Sequence, residues 1–182
     1  MEERLDILDT NGNPMGITAL KSKAHRFGLF HATVHIWLYT KTGELLIQLR
    51  AKNKATYPLL WDVSVAGHIG ASETSEATAV REIQEEIGLT VAQDSLNKIG
   101  VFKSTQTHHD TLIDNEFHHT FICELTRPVG QLIKQESEVA DLKLIPISEF
   151  EKEIFTSTLS ESYVPHDGTY YQAFLAAIKG RL

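Results

Sequence analysis

Three glutamates, Glu82, Glu85 and Glu86, fall within the stretch REIQEEIGL, residues 81–89. On a helix, residues three and four apart share a face, so these carboxylates would sit together. Clustered carboxylates repel and raise one another's proton affinity unless a cation stands among them. A hard divalent cation such as Mg²⁺ prefers carboxylate oxygen and commonly fills its remaining positions with water and substrate phosphate. The pattern therefore fits metal-assisted chemistry on a phosphate-bearing substrate. A solvated acidic helix face accounts for the same three residues.

The surrounding elements must position this helix. Thr74 or Ser75 can cap its start, and Gly88 can end it in a left-handed conformation. Ala77, Val80, Ile83 and Ile87 recur at spacings of three and four, which predicts an apolar stripe. WDVSVAGHI, just upstream, alternates at Val63 and Val65 and reads as one strand ending at Gly67. LDILDTNGNPMGI reads as two short strands around Asn11 and Gly12, within an N-terminal hairpin region, residues 1–24. ATVHIWLY and ELLIQLR read as a buried hairpin closed by Lys41, Thr42 and Gly43. IGVFKSTQ, HHTFICELT and VADLKLIPI read as further strands, and a C-terminal helix is expected over about 169–180. Interleaved strands and helices predict an α/β fold, a mixed sheet covered by helices.

The chain of 182 residues fits one domain, 1–182, with 42% hydrophobic and 23% charged residues. A net charge of −7 argues against a nucleic-acid binder that neutralises phosphates over a broad basic face. It leaves room for small anionic substrates, which need only a local positive patch or a metal. Cys123 is the lone cysteine, so no disulfide framework forms within the chain. The opening MEERLDILD is acidic and has no signal-peptide core, and no apolar run reaches the length of a membrane span. The expectation is a cytoplasmic protein without a membrane partner.

The stretch from Gly67 through Glu73 to REIQEEIGL matches the Nudix box, residues 67–89, at every position, and the chain is identified as a member of that family. The resemblance implies an α/β/α sandwich with a mixed central sheet. It also implies hydrolysis of a diphosphate linked to another group, with Mg²⁺ or Mn²⁺. Carried over by position, Glu82 and Glu86 are the metal ligands, and Glu85 is a further ligand or the holder of a coordinated water. Glu73 and Arg81 are the pair that fixes the loop against the helix. Gly67 would let the backbone turn closely into the loop. A base outside the box completes such sites, and Glu116 is the candidate here. The implied partner is a small-molecule diphosphate, of the nucleoside-diphosphate type first and isoprenoid or coenzyme-like next. The family also allows a homodimer, though no sequence feature marks an interface.

DTNGNPMGI, LRAKNKATYPLLWDVSVAGHI and LIDNEF extend the resemblance to type I isopentenyl diphosphate isomerase, a Nudix relative that moves a double bond. The catalytic cysteine of that enzyme corresponds to Ala66, whose methyl group cannot exchange a proton. Cys123 lies in a different strand and reads as a small buried hydrophobe. The later tryptophan of the isomerase is also absent, since Trp37 and Trp61 are the only two. With a complete box, these departures favour hydrolase over an isomerase that uses another acid, or over a non-catalytic diphosphate-binding module. Arg50 and Lys54 match diphosphate-contacting positions, or else form a solvated strand end. The resemblance further allows a second metal site of His25, His31, His68, Asp114 and Glu116; hydrogen-bonded core histidines are the alternative. His108 and His109 are expected in a loop, and His118 and His119 on opposite faces of a strand, all as ordinary histidines. Tyr57, Trp37 and Phe117 read as core, with pocket lining as the alternative.

Overall fold

The computed structural model describes residues 2–156 and 160–182. Strands β1 (Arg4–Leu8) and β2 (Pro14–Leu20) pair as a separate antiparallel hairpin, and α1 (Lys21–Phe27) follows directly. The hairpin read around Lys41–Gly43 is β3 (His31–Tyr39) with β4 (Glu44–Arg50). These strands pair only at its closed end, Leu38 with Leu46 and Tyr39 with Leu45, and then diverge. WDVSVAGHI is consequently two strands and not the expected one. β5 (Trp61–Asp62) pairs with β4, and β6 (Val65–His68) crosses to pair with β3. Ser64 plugs the fork: its hydroxyl accepts the Leu38 N–H at 2.8 Å and donates to the Leu46 carbonyl.

The remaining elements are α2 (Ser75–Ile87), β7 (Asn97–His109), β8 (Leu112–Glu124), β9 (Val139–Pro146), α3 (Ile147–Ile154) and α4 (Gly168–Lys179). The seven-stranded sheet runs β5-β4-β3-β8-β7, with β6 on β3 and β9 on β4. Its β3–β8 pair is parallel and its other pairs are antiparallel, which makes the sheet mixed as expected. Helix α2 covers one face through Ala79, Ile83 and Ile87 against Val34, Ile36, Leu38 and Phe121. Helices α3 and α4 cover the other, where Trp37 stacks on Phe174 with ring centroids 3.8 Å apart. This is the α/β/α sandwich.

The acidic helix begins at Thr74, whose side chain accepts the Ala77 N–H, and ends at Gly88 with φ 65°. Its stripe differs from expectation: Ala77 is exposed and Val80 half-buried, while Ala79 joins Ile83 and Ile87. Glu86 is buried beside that stripe, so one carboxylate lies inside the packed face and not on the solvated one. Among the described residues, no helix is long and apolar enough to cross a membrane.

Candidate active site

Arg81 stands among the clustered carboxylates. Its guanidinium donates to Glu73 at 2.9 Å, Glu82 at 2.8 Å, Glu85 at 3.0 Å and the His68 carbonyl at 3.3 Å. Burial opposes its charge, yet the Glu73 bond and the Glu82 charge push its pKa above the usual arginine value. Glu73 also accepts the Thr78 hydroxyl at 2.9 Å and the Gly70 N–H at 3.3 Å, which ties the 70–74 loop to the helix. Gly67 has a reason unlike the expected turn. It lies inside β6 without a positive φ, and a Cβ there would occupy the space of the Glu82 carboxylate.

One cation does not satisfy the cluster. Burial, with Glu85 adding to it and Arg81 opposing, raises Glu82 to about 7. Burial and the neighbouring Glu82 raise Glu86 to about 8. Glu86 Oε2 is buried with no hydrogen-bond partner among the described residues. An orphaned carboxylate oxygen beside two further carboxylates fits a hard divalent cation, whose preferred donor is oxygen. The shift has a consequence for metal-free protein. A carboxyl that keeps its proton longer when folded stabilises most below its unfolded pKa, and that stability is lost as pH rises through the folded value. The neutral His35 and His118, which are buried, and half-buried His68, all with pKa values that burial lowers, act oppositely, but only below about pH 6.5, the ordinary histidine value. His31, raised by Glu116 against burial, adds a loss of the same sign as the glutamates. In EDTA, the melting temperature should therefore fall between pH 6.5 and 8. Mg²⁺ or Mn²⁺ should restore about 3 °C or more at pH 8, the shift of about 1 kcal/mol in a chain of this size. Equal melting curves with and without metal at pH 8 would remove the cation from this cluster.

A second cluster faces the same cleft. His25 Nε2 lies 3.1 Å from His68 Nε2, and Glu116 Oε1 lies 3.4 Å from His31 Nε2 and 3.7 Å from His68 Nε2. One ligand atom from each of these four residues lies within 4.8 Å of the others. Backing groups fix the tautomers. His25 Nδ1 meets Asp114 at 2.7 Å, and His31 Nδ1 meets the Leu29 carbonyl at 2.9 Å, which turns the Nε2 lone pairs inward. His31 Nε2 is buried and, among the described residues, has no hydrogen bond beyond the long contact to Glu116 Oε1. Burial works against the Glu116 charge, but the His31 bond and the nearby His118 hold its pKa below the usual carboxylate range. Asp114 stands one step back, bridging His25 and His108 rather than joining the four.

A profile of the NUDIX domain matches residues 29–165. The chain belongs to the Nudix family. It is 35% identical over 179 residues to Nudix hydrolase 3 of Arabidopsis thaliana, covering 95% of this chain and 23% of that relative. The chain thus spans about a quarter of that relative's length. It is 33% identical over 146 residues to isopentenyl-diphosphate Delta-isomerase 2 of Photorhabdus laumondii, covering 80% of this chain and 78% of the relative. DR0079 of Deinococcus radiodurans shares the fold, with a TM-score of 0.65 at 20% identity over 89% of this chain and 100% of that one. The family and the isomerase-like branch read from the motifs both stand.

The Nudix glutamates and the histidine cluster open into one cleft of about 680 Å³. Arg50 lines it, but its guanidinium is engaged by Asp62 at 2.9 Å and the Thr56 carbonyl at 3.0 and 3.1 Å. Lys54 also lines it and pairs with Glu138 at 2.6 Å. Of the aromatics, Tyr57 lines the cleft, whereas Trp37 lies in the α3/α4 core and Phe117 packs on Phe30. His108 is in β7 and not in a loop, and it holds Asp114 at 2.8 Å. His118 was read as ordinary; it lines the cleft 3.5 Å from Glu116, while His119 points to the other face and meets Lys98. Asp62 and His166 escaped the sequence reading altogether. Strand alternation could have signalled His35, which falls on the same face of β3 as His31 and Thr33.

Proposed function

We propose that this chain hydrolyses a pyrophosphate bond in a small molecule, of the nucleoside-diphosphate type or a related diphosphate, with Mg²⁺ or Mn²⁺. The observation that carries the reading is half-buried Glu82 beside buried Glu86 in the cleft, with one Glu86 carboxylate oxygen unpartnered among the described residues. Glu82 and Glu86, with Glu85 at the outer edge, would hold the cation. Bound there, a divalent ion neutralises diphosphate charge and makes water a better nucleophile. Arg81 keeps Glu82 aimed at the cleft and, through Glu73, locks the preceding loop. Lys54 offers further N–H groups to a phosphate. Glu116, held ionised at the cleft wall, is placed to take a proton from the attacking water.

The isomerase relatives and the His25–His31–His68–Glu116 cluster favour a second reading, double-bond migration in isopentenyl diphosphate. Against it, Ala66 offers no acid, and Cys123 is buried with the α2 core on the opposite face of the sheet. A phosphate-release screen tests both readings. It would cover nucleoside diphosphates and triphosphates, dinucleotides, coenzyme A and isopentenyl diphosphate, with and without Mg²⁺ or Mn²⁺. Metal-dependent release from one class is expected; isomer formed without release would overturn the hydrolase.

A further inference from the structure

His35, His118 and His166 gather beyond the four-residue cluster. His35 lies directly across from Ala66 in the β3–β6 register, and Thr33, which holds His118, lies across from His68. The trio therefore continues the wall that begins at the ligand-like histidines. The rings of His35 and His118 stack with centroids 4.0 Å and planes 19° apart, and His166 meets His35 edge-on at 5.4 Å.

Each ring is anchored through one nitrogen. His35 Nδ1 meets the Tyr170 hydroxyl at 2.8 Å, and that hydroxyl also accepts the Trp37 indole N–H at 2.9 Å. His118 Nδ1 meets the Thr33 hydroxyl at 2.8 Å. His166 Nε2 donates to Asp62 at 3.1 Å, and Arg50 grips the other oxygen of that carboxylate. The second nitrogen of each ring has no partner among the described residues, and all three residues line the cleft. Nitrogens of the trio lie within 4.8 Å of one another, as metal ligands would. Stacked rings, however, direct their in-plane lone pairs side by side and not toward a common point. The geometry suits hydrogen bonding to a ligand better than coordination.

We propose that His35, His118 and His166 form the subsite for the group attached to the diphosphate, and that it takes a group with its own hydrogen-bond donors and acceptors. A sugar or heterocycle meets that demand. An alkyl or isoprenyl chain does not, because it strips water from three ring nitrogens and replaces none of those bonds. Sites built to hydrogen-bond a substrate reject the analogue lacking the polar group by roughly 10⁴-fold. The subsite rests on the hydrolase reading only in placing a diphosphate in the same cleft.

The test compares kcat/KM for the best of four nucleoside diphosphates with that for geranyl diphosphate. The wild-type ratio should exceed about 10³ in favour of the nucleoside compound, below the ceiling of such discrimination. His166→Phe and His118→Leu, each shown by thermal melting to be folded, should cut that ratio at least tenfold. A wild-type preference for geranyl diphosphate, or a ratio unmoved in both folded variants, would overturn the subsite. If neither compound is hydrolysed, the hydrolase reading fails separately, and equilibrium binding of both in Ca²⁺ decides. The same preference in Kd supports the subsite, and equal Kd values overturn it.

Discussion

Glu86→Gln should lower metal-dependent turnover by about 10³-fold or more while the protein stays folded. The carboxamide keeps the shape of the side chain but removes the charge that would hold a divalent cation, and a catalytic metal supplies several kcal/mol of transition-state stabilisation. Folding should not suffer, because Glu86 is 4% exposed and held toward its neutral form, at about 8. An amide in that place has no charge to bury. In EDTA at pH 8 the variant should therefore melt no lower than wild type, and added Mg²⁺ should raise its melting temperature less. Both readouts come from the same preparation, so a misfolded variant cannot imitate the result. Wild-type turnover in folded Glu86→Gln would remove the assigned metal role.

Gly67→Ala should cost about 10²-fold in kcat/KM, a loss typical of displacing a catalytic group by about an ångström. The new methyl would claim the volume of the Glu82 carboxylate, with the Glu82 Cγ only 2.6 Å from the added Cβ. Glu82 must then move, and it carries Arg81 with it through their 2.8 Å bond. Backbone strain is not involved, since Gly67 has no positive φ. The measurement is kcat/KM across a Mg²⁺ titration: a displaced ligand should raise the metal concentration needed for half-maximal rate. Unchanged metal dependence would show that Glu82 does not set the cation site.

Much of this was legible from local spacing. The acidic helix announced itself through its Thr74 cap, its Gly88 end and the four-residue spacing of Ile83 and Ile87, all of which are short-range signals. The turn at Lys41–Gly43 was legible for the same reason. Helices α1 and α3 were not. Each is eight residues or shorter and starts without a side-chain cap, at Leu20 and Pro146, so neither a period nor a start signal was available. The one-strand reading of WDVSVAGHI failed because alternation cannot report a change of pairing partner, which Ser64 effects by bridging β3 and β4.

By itself the sequence determined the family and the helix that gathers Glu82, Glu85 and Glu86, and the family resemblance implied the pairing of Glu73 with Arg81. The helix is written in contiguous residues whose relative placement its own period imposes. Tertiary structure alone decided that Gly67 is the seat of Glu82, that Asp114 backs His25, and that Arg50 grips Asp62. It also brought His166 to Asp62 across 104 positions and Thr33 to His118 across 85. Those contacts depend on which strands lie side by side, and the parallel β3–β8 pairing joins segments that no local period relates.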